Sequence, residues 1–196
     1  MPSQSWQQGS AGASAGQRAA GTLFNTYTTA KTVINQQDLI SYPPNYFQLG
    51  KRLRITVNMA ISSLTVTPGT VTFQVMLGSI VVFTTGAIQL NATAHTLLPA
   101  RLVVDLVCQL ANTGGGGVVA KFMGTGVLTG IMFTLTAAQV DAVNTPGAFP
   151  APATTPALGT AFDGTISQIL DFWVGFSISN AANGVQVADY FVEDLN

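Results

Sequence analysis

Ionic side chains are scarce in this chain. Only 8% of its 196 residues are Asp, Glu, Lys or Arg, against roughly 25% in ordinary soluble domains. Between Ile55 and Ala100 there is none at all. A monomer of this size ordinarily keeps itself dispersed with a charged surface, so a surface of Thr, Ser, Asn, Gln, Gly and Ala is expected to face other protein. A net charge of −1 supplies no long-range field to attract nucleic acid or an anionic membrane. The one basic cluster, Lys51, Arg52 and Arg54, lies at the start of a strand pattern, where such residues serve as a solvated edge. Neither nucleic acid nor a membrane is expected as a partner.

Histidine and cysteine each occur once. With His95 alone, no histidine-pair metal site exists, and any Ser-His-Asp or Cys-His arrangement would have to use it. It sits in the turn-like segment Asn91–Thr96 without a nucleophile motif. Cys108 has no partner for a disulfide, and its setting in Leu102–Val107 marks it as a buried small hydrophobe. Asp105, Asp141, Asp163 and Asp171 are scattered. Asp189, Glu193 and Asp194 gather near the C-terminus without the spacing of a calcium loop. The run Gly114–Gly117 is followed by neither Lys-Ser nor Lys-Thr, so it reads as a hairpin turn, not a phosphate loop. No catalytic residue, metal or cofactor is expected, and the chain is read as non-enzymatic. The opening Met1–Trp6 lacks the basic and apolar blocks of a signal peptide, so general secretory export is not expected. The longest uncharged apolar stretch, Phe122–Val140, carries glycines and threonines suited to strands and turns, not to a lipid-facing helix.

What the sequence does contain is β pattern. In Lys51–Ile61, Leu53, Ile55, Val57, Met59 and Ile61 alternate with polar or small residues, the two-residue period of a half-buried strand. After the turn Thr67-Pro68-Gly69 the alternation resumes in Val71, Phe73, Val75 and Leu77, and Gly78 introduces the run Ile80–Phe83. Three strands joined by turns predict an antiparallel meander. Thr22–Ile34 predicts a first strand or strand pair, and Ser41–Phe47 a rigid connection with two prolines. Further strands are expected at Ala100–Leu110, Val118–Met123, Val127–Leu135, Ile166–Ile178 and Val185–Val192, with a bulge or corner at Gly124 and Gly126. Thr136–Gln139 resembles a capping box, so Ala137–Val143 is expected to be the one short helix. The fold class is therefore all-β: an antiparallel, jelly-roll-like sandwich over residues 22–196. Residues 1–21 are expected to form an extended N-terminal arm, and residues 144–161, with four prolines, a structureless insertion lying over a neighbouring subunit.

The order of these motifs resembles a known group. Phe47–Ile55, Val71–Gly78, Gly86–Ala92, the long strand after Arg101, and Leu170–Val174 with Ser179–Asn183 before a closing Val-Gln-Val strand together resemble jelly-roll virion proteins of tailed bacteriophages, over roughly residues 22 to 192. The resemblance implies a non-enzymatic β-sandwich that decorates or cements the capsid, or sits at the neck or tail, as a homo-trimer. Its partners would be the major capsid protein or other virion proteins, and its location the virion, assembled in the host cytoplasm. The Pro-rich insertion and the N-terminal arm depart from the short members of that group, and no residue role is carried over. The expected interface residues are Trp6 and Arg18 in the arm and Phe149 and Leu158 in the insertion. The alternative is a tail- or neck-associated receptor- or carbohydrate-binding module, in which Tyr42, Tyr46 and Trp173 would stack on sugars.

Overall fold

A computed structural model of the chain describes residues 20–21, 23–64, 66–111, 117–134, 148–152 and 154–195. Thirteen strands run in chain order: β1 (Phe24–Asn25), β2 (Lys31–Thr32), β3 (Ile40–Tyr42), β4 (Arg52–Ser63), β5 (Thr70–Leu77), β6 (Ile80–Thr84), β7 (Ile88–Leu90), β8 (His95–Leu110), β9 (Lys121–Gly130), β10 (Phe133–Thr134), β11 (Ala148–Ala151), β12 (Gln168–Phe176) and β13 (Gly184–Asp194). A single 3-10 turn, Gln36–Asp38, is the only helical element among the described residues. The strands form two antiparallel sheets. The first has the order β1-β13-β4-β8-β9-β11; the second has β10-β7-β5-β12-β2, with β3 also paired to β12 and β6 also paired to β5. The pairings β4 with β13 and β5 with β12 are nested, as in a jelly roll, and the chain is an all-β sandwich.

The alternating residues of β4 deliver this packing directly: Leu53, Ile55, Val57, Met59 and Ile61 are all buried. Leu102, Val104, Leu106 and Cys108 of β8 lie beside them on the same inner face. In β13 the inward set changes phase, from Val185 and Val187 to Tyr190 and Val192. The cause is a register shift between Val187 and Asp189, where Ala188 is the extra residue of a bulge. The facing layer is supplied by Val71, Phe73, Val75 and Leu77 of β5 and Leu170, Phe172, Val174 and Phe176 of β12. Phe73 and Phe172 stack with ring centroids 5.8 Å apart. At one end Phe47, Phe122 and Phe162 close the core, Phe122 stacked on Phe162 at 5.4 Å and Phe47 edge-on to both. Aromatic pairs in such geometry contribute about 0.5–1.5 kcal/mol each beyond the area they bury.

Several expectations require correction. The first two strands of the predicted meander do not pair. β4 belongs to one sheet and β5 to the other, because both are apolar along their inner faces and pack across the core; of these three strands β5 and β6 alone form a hairpin. Gly124 and Gly126 do not break a strand, since β9 runs through both. They are needed for close approach: a Cβ at Gly126 would stand 2.2 Å from the Val103 carbonyl oxygen, and one at Gly124 2.3 Å from the Phe83 ring. His95 is not in a turn but begins β8 opposite Ser63. Residues 148–151 of the supposed structureless insertion form β11 at the edge of the first sheet, paired with β9. Beyond it, Leu158 pairs with Met123 and Phe162 with Ala120, so this segment lies on its own domain. The predicted helix at 137–143, most of the Gly114–Gly117 run and the arm through residue 19 lie outside the described residues.

Candidate interaction surface

The two outer faces of the sandwich differ in chemistry. On the first sheet Arg54 and Asn58 of β4 each lie between charged residues of the two neighbouring strands. Arg54 donates two hydrogen bonds to Asp105 on β8, at 2.7 and 2.9 Å, and has Glu193 of β13 on its other flank. Asn58 Nδ2 donates to Asp189 at 3.4 Å and lies opposite Arg101. Arg52 and Lys121 share this face. At its edge Lys51 pairs with Asp194, which also accepts the Tyr46 hydroxyl proton, and the Leu195 amide donates to the Arg52 carbonyl at 3.1 Å. Burial, together with the neighbouring Asp194, makes the Tyr46 phenol harder to ionise than usual. These contacts hold Asp194 and Leu195 beside the start of β4.

The second sheet presents almost no charge. Its strands contain only Lys31 and Asp171 among ionic residues. Lys31, at the edge, sits over the Tyr27 ring at 3.8 Å. Asp171 is 9% exposed and accepts hydrogen bonds from Thr32 Oγ1 at 2.7 Å, Trp173 Nε1 at 2.6 Å and the Phe172 amide at 2.7 Å. Burial pushes its carboxyl up from the ordinary range, against the pull of those three donors. Its other outward side chains include Thr70, Thr72, Gln74 and Met76 on β5, Val81 and Thr84 on β6, Gln89 on β7, and Ile169 and Trp173 on β12, with Ile169 47% exposed. This is the candidate site: a neutral face of hydroxyl, amide and apolar groups. Desolvating such a face carries no charge penalty, whereas its isolated hydroxyls and amides exchange water for a partner's groups at little net cost.

Among the described residues, no three His, Cys, Asp or Glu side chains gather as a metal would need. Ser63 and His95 are cross-strand neighbours, yet Ser63 Oγ donates to the Thr93 carbonyl, and His95 Nε2 is buried without a partner, so no nucleophile–base hydrogen bond joins them. The Tyr190 hydroxyl is likewise buried and unpartnered. Cys108 is fully buried, its thiol directed to the Leu110 carbonyl at 3.1 Å, and burial raises its pKa.

The anticipated interface residues separate. Trp6 and Arg18 lie outside the described residues. Leu158 is 41% exposed beside β9. Phe149 is 4% exposed, edge-on to Phe133 at 5.6 Å, and so belongs to this chain's own core and not to a joint. The reason is the alternation of β11, which turns Phe149 and Ala151 inward and Pro150 out. The aromatic trio weighed for sugar stacking forms no platform. Tyr42 is buried against Tyr46 and Phe47, the Tyr46 hydroxyl is occupied by Asp194, and the Trp173 indole is tied to Asp171. The neutral face had a sequence signal in the charge-free run Ile55–Ala100, which contains β5, β6 and β7 entire. No protein-family model matches the chain, and no curated protein matches it.

Proposed function

We propose that this chain is a non-enzymatic structural subunit of a bacteriophage particle, a capsid decoration protein that acts as a homo-trimer on the major capsid protein or other virion proteins. The observation that carries this reading is the nearly uncharged outer face of the second sheet, set against a first sheet that holds most of the ionic residues of the strands. A freely dispersed monomer has no use for such asymmetry, and a subunit covered on one side does. The mechanism is mechanical. Burying the neutral face against a shell stabilises the assembled lattice over its separated parts by mass action. A joint of about 1,000 Å² suffices when well fitted, and repetition around a symmetry axis multiplies its effect. Trp6, Arg18 and Leu158 are the joint residues in this reading, and Phe149 is not among them.

The test is to introduce charge on the face without touching the core. Thr72→Lys and Gln74→Glu each change an outward side chain of β5. Their folding stability is expected to stay within about 0.5 kcal/mol of the parent, as for surface changes generally. Their occupancy on purified shells is expected to fall at least about tenfold, because an unpaired charge must then be desolvated. Undiminished occupancy for both variants would remove this face from the joint.

A further inference from the structure

Residues 154–160 run back across β6 and bound a cleft of about 270 Å³, walled by Val82, Phe83, Pro152 and Leu158 and edged by the hydroxyl-bearing Thr155 and Thr160. The walls contain no ionic group. Its floor is set by a glycine: a Cβ at Gly159 would stand 2.1 Å from the Val82 carbonyl oxygen, while the Gly159 amide donates to the Phe122 carbonyl at 2.8 Å. Clefts that take drug-sized ligands span about 300–1,000 Å³, so this one is scaled to a single large side chain. Apolar walls with a hydroxyl rim suit an indole, which presents a flat apolar body and one N–H donor.

The chain itself carries such a group outside the described core. Trp6 is one of only two tryptophans, and the other, Trp173, is committed to Asp171. The described chain begins against β13, where the Gly21 amide donates to the Val187 carbonyl at 2.8 Å and Gln186 Nε2 donates to the Gly21 carbonyl at 3.0 Å. β13 is separated from β9, beside the cleft, by β4 and β8. The point of departure and the cleft thus lie on opposite flanks of the sandwich. The 13 residues from 7 to 19 reach roughly 45 Å when extended, enough to enter a neighbour. A donor on one flank and an acceptor on the other make a head-to-tail contact, which closes into a ring when its rotation permits.

We propose that the cleft between β6 and residues 154–160 receives the Trp6 ring of a second copy of this chain, so that copies link head to tail. This rests on the reading of the chain as an assembly subunit and names the joint between its copies. The test uses full-length protein. Trp173→Phe leaves Trp6 as the sole emitter, and sedimentation velocity of that variant and of the parent is read alongside fluorescence. The expected result is concentration-dependent oligomers, with Trp6 emission moving to the blue in step with them. Trp6→Ala and Leu158→Asp, at a cleft wall, are each expected to weaken association by at least roughly 30-fold, the loss typical of a buried aromatic anchor. The inference is overturned by a parent that stays monomeric, by solvent-like Trp6 emission within the oligomer, by a Trp6→Ala variant that associates like the parent, or by blue emission in a monomer independent of concentration, which would assign the ring to its own chain's cleft. Self-association through Trp6 in a protein that does not bind shells would leave this inference standing and defeat the decoration reading; the converse would do the reverse.

Discussion

Phe149→Ala separates a core role from a joint role at one position. The ring is 4% exposed, lies edge-on to Phe133 at 5.6 Å, and is carried by a strand whose register places it opposite Leu128, itself fully buried. Truncating a buried phenylalanine to alanine costs about 3–5 kcal/mol, through lost transfer energy and the cavity left behind. For a domain of 150–250 residues each kcal/mol moves the midpoint by about 2–4 °C, so a fall of about 6–20 °C is expected. The assay is thermal unfolding followed by circular dichroism, paired with shell binding at a temperature where the variant remains folded. The predicted outcome is a large drop in midpoint with shell binding retained. An unchanged midpoint with binding lost would refute the reasoning, because it would mean that Phe149 meets a partner and not its own core.

Two further outcomes follow from the geometry. Gly126→Ala drives a methyl group to within 2.2 Å of the Val103 carbonyl oxygen in the β8–β9 ladder, and backbone, unlike a side chain, cannot rotate aside. A loss of about 1–3 kcal/mol in urea unfolding is expected, and a neutral effect would contradict the close approach of these strands. Asp171 has its carboxyl raised in the fold by burial, so between its ordinary pKa and the raised value the native state holds more proton than the unfolded chain. Its contribution to stability therefore falls as pH rises through that window. Asp171→Asn is expected to remove this component, giving a shallower decline than the parent in midpoints measured from pH 4 upward; identical slopes would count against it.

Much of the sandwich was legible because β4, β5 and β12 alternate apolar with polar or small residues, and a two-residue period fixes which residues face inward. What alternation cannot supply is the partner of a strand. The sequence neighbours β4 and β5 carry the same kind of inner face, so nothing local distinguishes pairing side by side from packing across the core. Glycine was ambiguous for a similar reason. Gly124 and Gly126 look like breakers, yet they exist to let the Phe83 ring and the Val103 carbonyl come close, a tertiary demand invisible along the chain. The prolines at 150 and 152 concealed β11, because an edge strand tolerates a residue that lacks an amide proton. The neutral face was half visible. The charge-free run announced a surface unlike that of a dispersed monomer, but gathering β5 to β7 beside β12 required long-range pairing.

The molar ratio of this chain to the major shell protein in purified particles tests the central claim most directly. A face cleared of charge in order to be covered by a repeating lattice predicts hundreds of copies per particle, in fixed proportion to the shell subunits. A handful of copies would contradict decoration and move the chain to the neck or tail, and none at all would contradict a virion role altogether.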